Sequence, residues 1–102
     1  MPQYIIFAPD HTDDKALERR GAARTDHLAY SSEAIKRGEQ LMAAAMLDQD
    51  QNMCGSVMIV EFDDQEGLEN WLENEAYVTG TVWDIDKIQI IPCSVPPSFL
   101  NK

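Results

Sequence analysis

The stretch that most constrains the fold is residues 55–62, Gly55-Ser56-Val57-Met58-Ile59-Val60-Glu61-Phe62. It is rich in β-branched side chains, and successive residues are apolar with no regular polar alternation. That pattern suits a strand buried on both faces. A sheet containing such a strand needs cover above and below, and the rest of the chain has to supply it.

Two further apolar runs read as its neighbours. Residues 4–8 form a short strand ended by the turn Pro9-Asp10, and residues 85–91 form a last strand stopped by Pro92. Residues 40–47 favour helix by propensity. They nevertheless lie between the breaker Gly38 and a polar hairpin turn at 48–52, so a strand is expected there. A long helix is expected over residues 15–37, with Asp13 or Asp14 suited to cap it and Gly38 to end it. Its inward face is read from four-three spacing as Leu17, Gly21, Arg24, Leu28, Ser31 and Ile35. Close packing on a sheet would explain the glycine. Asp63-Asp64 opens a second helix with Leu68, Trp71 and Leu72 on its apolar face. Residues 74–77 make a corner, and 77–82 add a helical turn broken at Gly80.

The order is β-α-β-β-α-β, an α+β chain of the ferredoxin-like kind, with a four-stranded antiparallel sheet and helices on one face. Ile5 and Phe7, Met58 and Val60, and Ile88 and Ile90 alternate with Tyr4 and Ile6, Val57 and Ile59, and Ile91, so both faces are apolar. The helices cover one face. A second copy of the chain is the economical cover for the other, and a homodimer is expected. Residues 1–95 form one domain and 96–102 a C-terminal tail, extended by Pro96-Pro97 and apolar enough at Phe99-Leu100 to dock on the body.

Charge narrows the partners. With 18 acidic against 8 basic residues and a net charge of −10, the chain lacks the basic face that nucleic acid or an anionic membrane requires. No run is long enough to span a membrane and no secretory leader is visible, so a cytoplasmic protein is expected. Cys54 and Cys93 stand far apart and read as free thiols rather than a disulfide. Two histidines are too few for a familiar metal site, and no metal or redox cofactor is expected.

Three stretches in order over nearly the whole chain carry a family resemblance: Arg24-Thr25-Asp26-His27-Leu28, residues 55–62, and Trp71-Leu72-Glu73-Asn74-Glu75-Ala76-Tyr77-Val78. The chain resembles the YCII-related (YciI-like) family of small bacterial proteins, within the dimeric α+β barrel superfamily. That resemblance implies a His and Asp dyad in a pocket of the barrel, acting in acid–base chemistry. Relatives resemble muconolactone isomerases and a dehydrochlorinase acting on a chlorinated hydroxyquinone. Carried across, the histidine is His27, the accompanying arginine Arg24, and the acidic position falls on Glu75. The family's Asp-Pro is thus Glu75-Ala76 here, one methylene longer and without the ring that fixes φ. Glu73 and Asn74 are adjacent alternatives.

A carboxylate beside a neutral histidine holds it in one tautomer, which suits a general base. Arg24 would clamp a carboxylate or enolate oxygen. Tyr77, beside the acidic position, and His11, just after the first strand, are candidate substrate contacts. Trp83 and Phe99 read as packing residues. Two functions follow. One is a cofactor-independent isomerase, lyase or hydrolase acting on a small anionic or phenolic metabolite. The other is a non-catalytic dimeric module that binds a ligand or a protein.

Overall fold

The computed structural model of the chain describes residues 2–100; Met1 and the last two residues of the tail, Asn101 and Lys102, lie outside it. Four strands and three helices follow in the order β1 (Gln3–Pro9), α1 (Ala16–Lys36), β2 (Gln40–Leu47), β3 (Met53–Glu61), α2 (Gln65–Glu73), α3 (Ala76–Thr79) and β4 (Gln89–Cys93). The sheet is antiparallel throughout, in the order β2-β3-β1-β4. This is a ferredoxin-like α+β fold with its helices on one face.

Register explains the two apolar faces. Ala43, Met58, Ile6 and Ile90 stand opposite one another across all four strands, and Met58 and Ile6 are fully buried under the helices. One residue along, Met42, Ile59, Ile5 and Ile91 make a matching row on the other face. The tail lies over one end of that second face. The Val95 N–H donates to Gln3 Oε1 at 2.7 Å, and Phe99 and Leu100 enclose, with Ile5, Met42 and Ile59, an apolar cavity of about 470 Å³. Part of the outer face is therefore covered by the chain itself.

Local chemistry sets the element ends. Gly38 takes a positive φ of 76° and stops α1, while the Glu39 N–H returns to the Ala34 carbonyl. Asp48 Oδ1 accepts from the Asp50 and Asn52 N–H groups and holds the β2–β3 hairpin. β3 begins at Met53, ahead of the expected Gly55, so Cys54 lies on the strand and not in the hairpin loop.

Three expectations are corrected. Asp13 does not cap α1, whose N-cap is Lys15 without a side-chain bond. The Asp13 carboxylate instead accepts from the Lys15 N–H and from both terminal nitrogens of Arg19, at 2.7 and 2.8 Å. The last strand is shorter at its start and longer at its end. Residues Ile85–Lys87 form a 3-10 turn capped by Asp84, and β4 runs through Pro92. A proline is tolerated there because β4 is an edge strand, hydrogen-bonded on one side only.

The largest correction concerns the face of α1. Leu17, Leu28 and Ile35 are 49%, 50% and 59% exposed, and a Cβ placed on Gly21 would meet nothing within 4 Å. The inward face is Ala16, Arg20, Ala23, His27, Tyr30 and Ala34, one residue back along the helix. It is built of small residues that let the helix lie close to its neighbours, and of polar ones that find specific partners. Neither kind stands out by hydrophobicity.

Candidate active site

His27 sits in the middle of this inward face, opposite the start of α3. Glu75 precedes that short helix in extended conformation, and its Oε2 accepts the Tyr77 N–H at 2.5 Å. This bond satisfies one of the donors that a helix start leaves free. Its other oxygen, Oε1, is hydrogen-bonded to His27 Nδ1. The side-chain cap thus aims the carboxylate at the imidazole. Glu75 is fully buried, whereas Glu73 and Asn74 are exposed.

Aromatic rings complete the mount. The His27 imidazole stacks on the Tyr77 ring with centroids 3.8 Å apart and planes 8° from parallel, and Trp83 meets both rings edge-on. Nδ1 is occupied by Glu75, which leaves Nε2 as the nitrogen without a partner among the described residues. Such a histidine can take a proton at Nε2 while Nδ1–H stays on the carboxylate. The Glu75 charge is felt nearby as well. Burial, reinforced by that charge, holds the Tyr30 phenol above its ordinary range, and its hydroxyl donates to the Trp71 carbonyl at 2.7 Å.

His27 lines a cavity of about 220 Å³ between α1 and β2, on the helix-covered side of the sheet. The space exists because Ala43 and Ala45 offer only methyl groups where larger side chains would fill it. Arg24 also lines it but is exposed, its guanidinium donating to Met53 Sδ at 3.5 Å. The other two expected contacts fall elsewhere. Tyr77 is fully buried and supports the imidazole rather than lining this cavity. His11 lines a separate surface cavity with Asp13, Asp14 and Asp48, because its backbone N–H is tied to the Val82 carbonyl.

Sequence reading missed a buried charged group beside the histidine. Arg20 donates through Nη1 to both oxygens of Asp10 at 2.8 and 2.9 Å, and its guanidinium carbon lies 4.8 Å from the Tyr77 ring centroid. Burial pushes the Asp10 carboxyl up, and Arg20 pulls against that shift. Ser56 Oγ accepts from Arg20 Nη2 at 3.3 Å and from Trp83 Nε1 at 3.2 Å. The spacing held the signal, since Arg20 precedes His27 by seven residues and so shares its helix face. Among the described residues, no group of three or more His, Cys, Asp or Glu side chains is arranged around a metal position. No helix there is long and apolar enough to cross a membrane.

Comparison with known proteins gives the following likenesses. The family model of the YCII-related domain matches residues 3–90. The protein YciI of Escherichia coli is 32% identical over 87 residues, covering 79% of this chain and 87% of that protein. A xenovulene A biosynthesis cluster protein of Sarocladium schorii is 22% identical over 97 residues, 87% of this chain and 84% of its own. Among solved structures, a 5-chloro-2-hydroxyhydroquinone dehydrochlorinase of Burkholderia phenoliruptrix, in complex with 2,5-dihydroxybenzoquinone, superposes with a TM-score of 0.77 at 17% identity, covering 94% of this chain and 97% of that one. A dimeric ferredoxin-like protein of unknown function from Jannaschia gives 0.50 at 13% identity, covering 93% and 100%. At such identities the two structures speak for the fold.

Proposed function

The chain belongs to the YCII-related family, and from that membership we propose a small enzyme that performs acid–base chemistry on a one-ring anionic or phenolic metabolite. The observation that carries this reading is the Glu75 carboxylate, bonded to His27 Nδ1 by one oxygen and pinned by the Tyr77 N–H through the other. His27 Nε2 takes a proton from carbon or oxygen next to a ring carbonyl. The electron pair released then expels a leaving group such as chloride, or returns to a different carbon as His27 gives the proton back. The first course is elimination and the second isomerisation. Glu75 stabilises the imidazolium formed in between, and Arg24, at the rim, draws an anion in.

The dehydrochlorinase and biosynthesis-cluster relatives support a role on small organic molecules. The apolar row Met42, Ile59, Ile5 and Ile91 supports a homodimer, with a second copy covering the outer face beyond the reach of the tail. Cys54 and Cys93 are both free, in keeping with a reducing cytoplasm.

The test is turnover of a panel of chlorinated hydroxyquinones and muconolactone-type lactones. The protein should convert at least one, and His27→Ala should lower the rate by about 100-fold or more while the assembly state is unchanged. An unaltered rate in His27→Ala would remove the acid–base reading. Saturable binding with no turnover of any compound would make the protein a binding module.

A further inference from the structure

Taking from the acid–base reading that a ligand occupies the cavity beside His27, we propose that Arg20 and Ser56 hold that ligand's negative charge, and that the ligand is a one-ring acid bearing the charge on a ring or carboxylate oxygen. The first observation is a shortage of acceptors. Arg20 is 4% exposed and lines the cavity, and a guanidinium carries five N–H donors. Nη1 serves Asp10, Nη2 has one long bond to Ser56, and Nε has no partner. Nε is shut off from solvent, so what Arg20 can offer a ligand is Nη2, whose one bond is long and whose second N–H has no acceptor among the described residues.

Ser56 points the same way. Its oxygen accepts from Arg20 and from Trp83, which uses both lone pairs. The hydroxyl hydrogen is then free to donate, and no acceptor for it exists among the described residues. Ser56 also lines the cavity. It therefore offers the ligand a donor and nothing else.

Charge is distributed to match. The chain has 18 Asp and Glu against 8 Lys and Arg, yet no carboxylate lines this cavity while Arg20, Arg24 and His27 all do. Asp10 balances Arg20 from behind, outside the lining. The volume of about 220 Å³ suits one ring with a few oxygens, since a dry cavity of about 150 Å³ admits benzene. His27 and Arg20 both lie against the Tyr77 ring, so a single ring can meet the base at one edge and the guanidinium at another. Arg24 is exposed and serves the approach rather than the hold.

Calorimetric titration with 2,5-dihydroxybenzoquinone, an acidic ring, and with uncharged hydroquinone tests the assignment. The wild-type protein should bind the acid at least about tenfold tighter than hydroquinone. The neutral pair Asp10→Asn with Arg20→Gln should weaken acid binding by about 10- to 100-fold, and Ser56→Ala by about 3- to 10-fold. Arg24→Gln should cost less than the double variant. Ser56→Ala leaves the Asp10–Arg20 pair in place, so it decides the matter if the double variant fails to fold. The assignment is overturned if the wild type binds neither compound saturably, or if Ser56→Ala binds the acid as the wild type does. Acid binding that depends on Arg20 and Ser56, in a protein that turns over no substrate, would uphold it while defeating the catalytic reading alone.

Discussion

Glu75 carries two duties through its two oxygens, capping α3 and holding His27, and its charge reaches a third residue. Burial first, and Glu75 second, keep the Tyr30 phenol protonated beyond the ordinary tyrosine range of about 10. Glu75→Gln should therefore lower the Tyr30 pKa without restoring it fully, because burial remains. An ultraviolet titration of tyrosinate, with Tyr30→Phe to assign the step, would read this. The sign for stability follows. Because the folded state favours the protonated phenol, the Tyr30 contribution is intact below about pH 10 and is lost as pH rises through the folded-state value. A sharper effect belongs to the buried ion pair. Arg20→Ala would leave Asp10 buried without its partner, and should destabilise the fold by about 3–5 kcal/mol in urea unfolding. Ser56→Ala takes an acceptor from two buried donors, Trp83 Nε1 and Arg20 Nη2, and should cost about 1–3 kcal/mol.

Among the elements, α1 separates what hydrophobicity reveals from what packing requires. The element order, the hairpin and the bounds of β2 were legible, because apolar runs are set off by glycines, prolines and acidic turns, and for β2 the flanking Gly38 and polar turn outweighed helix propensity. The rotation of α1 was not. Leu17, Leu28 and Ile35 attracted the assignment, while the buried positions are alanines and polar residues whose partners, Asp10 and Glu75, lie on other segments. A single sequence does not show such long-range pairings. The link from His27 to Glu75 was visible only through a family pattern, and Arg20 was overlooked although it shares the helix face. Substitution can check the rotation. Ile35→Gln should change stability by no more than about 0.5 kcal/mol, whereas Ala34→Leu, one position away and fully buried, should cost about 1–3 kcal/mol. The start of α1 has its own pH signature. Arg19 holds the Asp13 carboxyl well below the usual carboxylate range. Its stabilisation is present above the unfolded value of about 3.9 and is lost as pH falls through the folded value. Asp13→Asn should remove that acid-side slope, and because the pair is exposed the effect should shrink in high salt.

For the whole molecule, the proposed dimer rests on the outer face of the sheet. Phe7 lies on it, 39% exposed and opposite Val57. Phe7→Glu should convert a dimer to a monomer in analytical ultracentrifugation with circular dichroism unchanged, and a wild-type protein that sediments as a monomer would end the dimer proposal. The two rims of the sheet also differ, because only one contains a proline. Pro92 on β4 has no N–H to lend an incoming strand, so that rim resists extension. The β2 rim is eight residues with neither proline nor charge, Gln40–Leu47. Misassembly by strand addition therefore has a direction in this protein, and it starts from the β2 side.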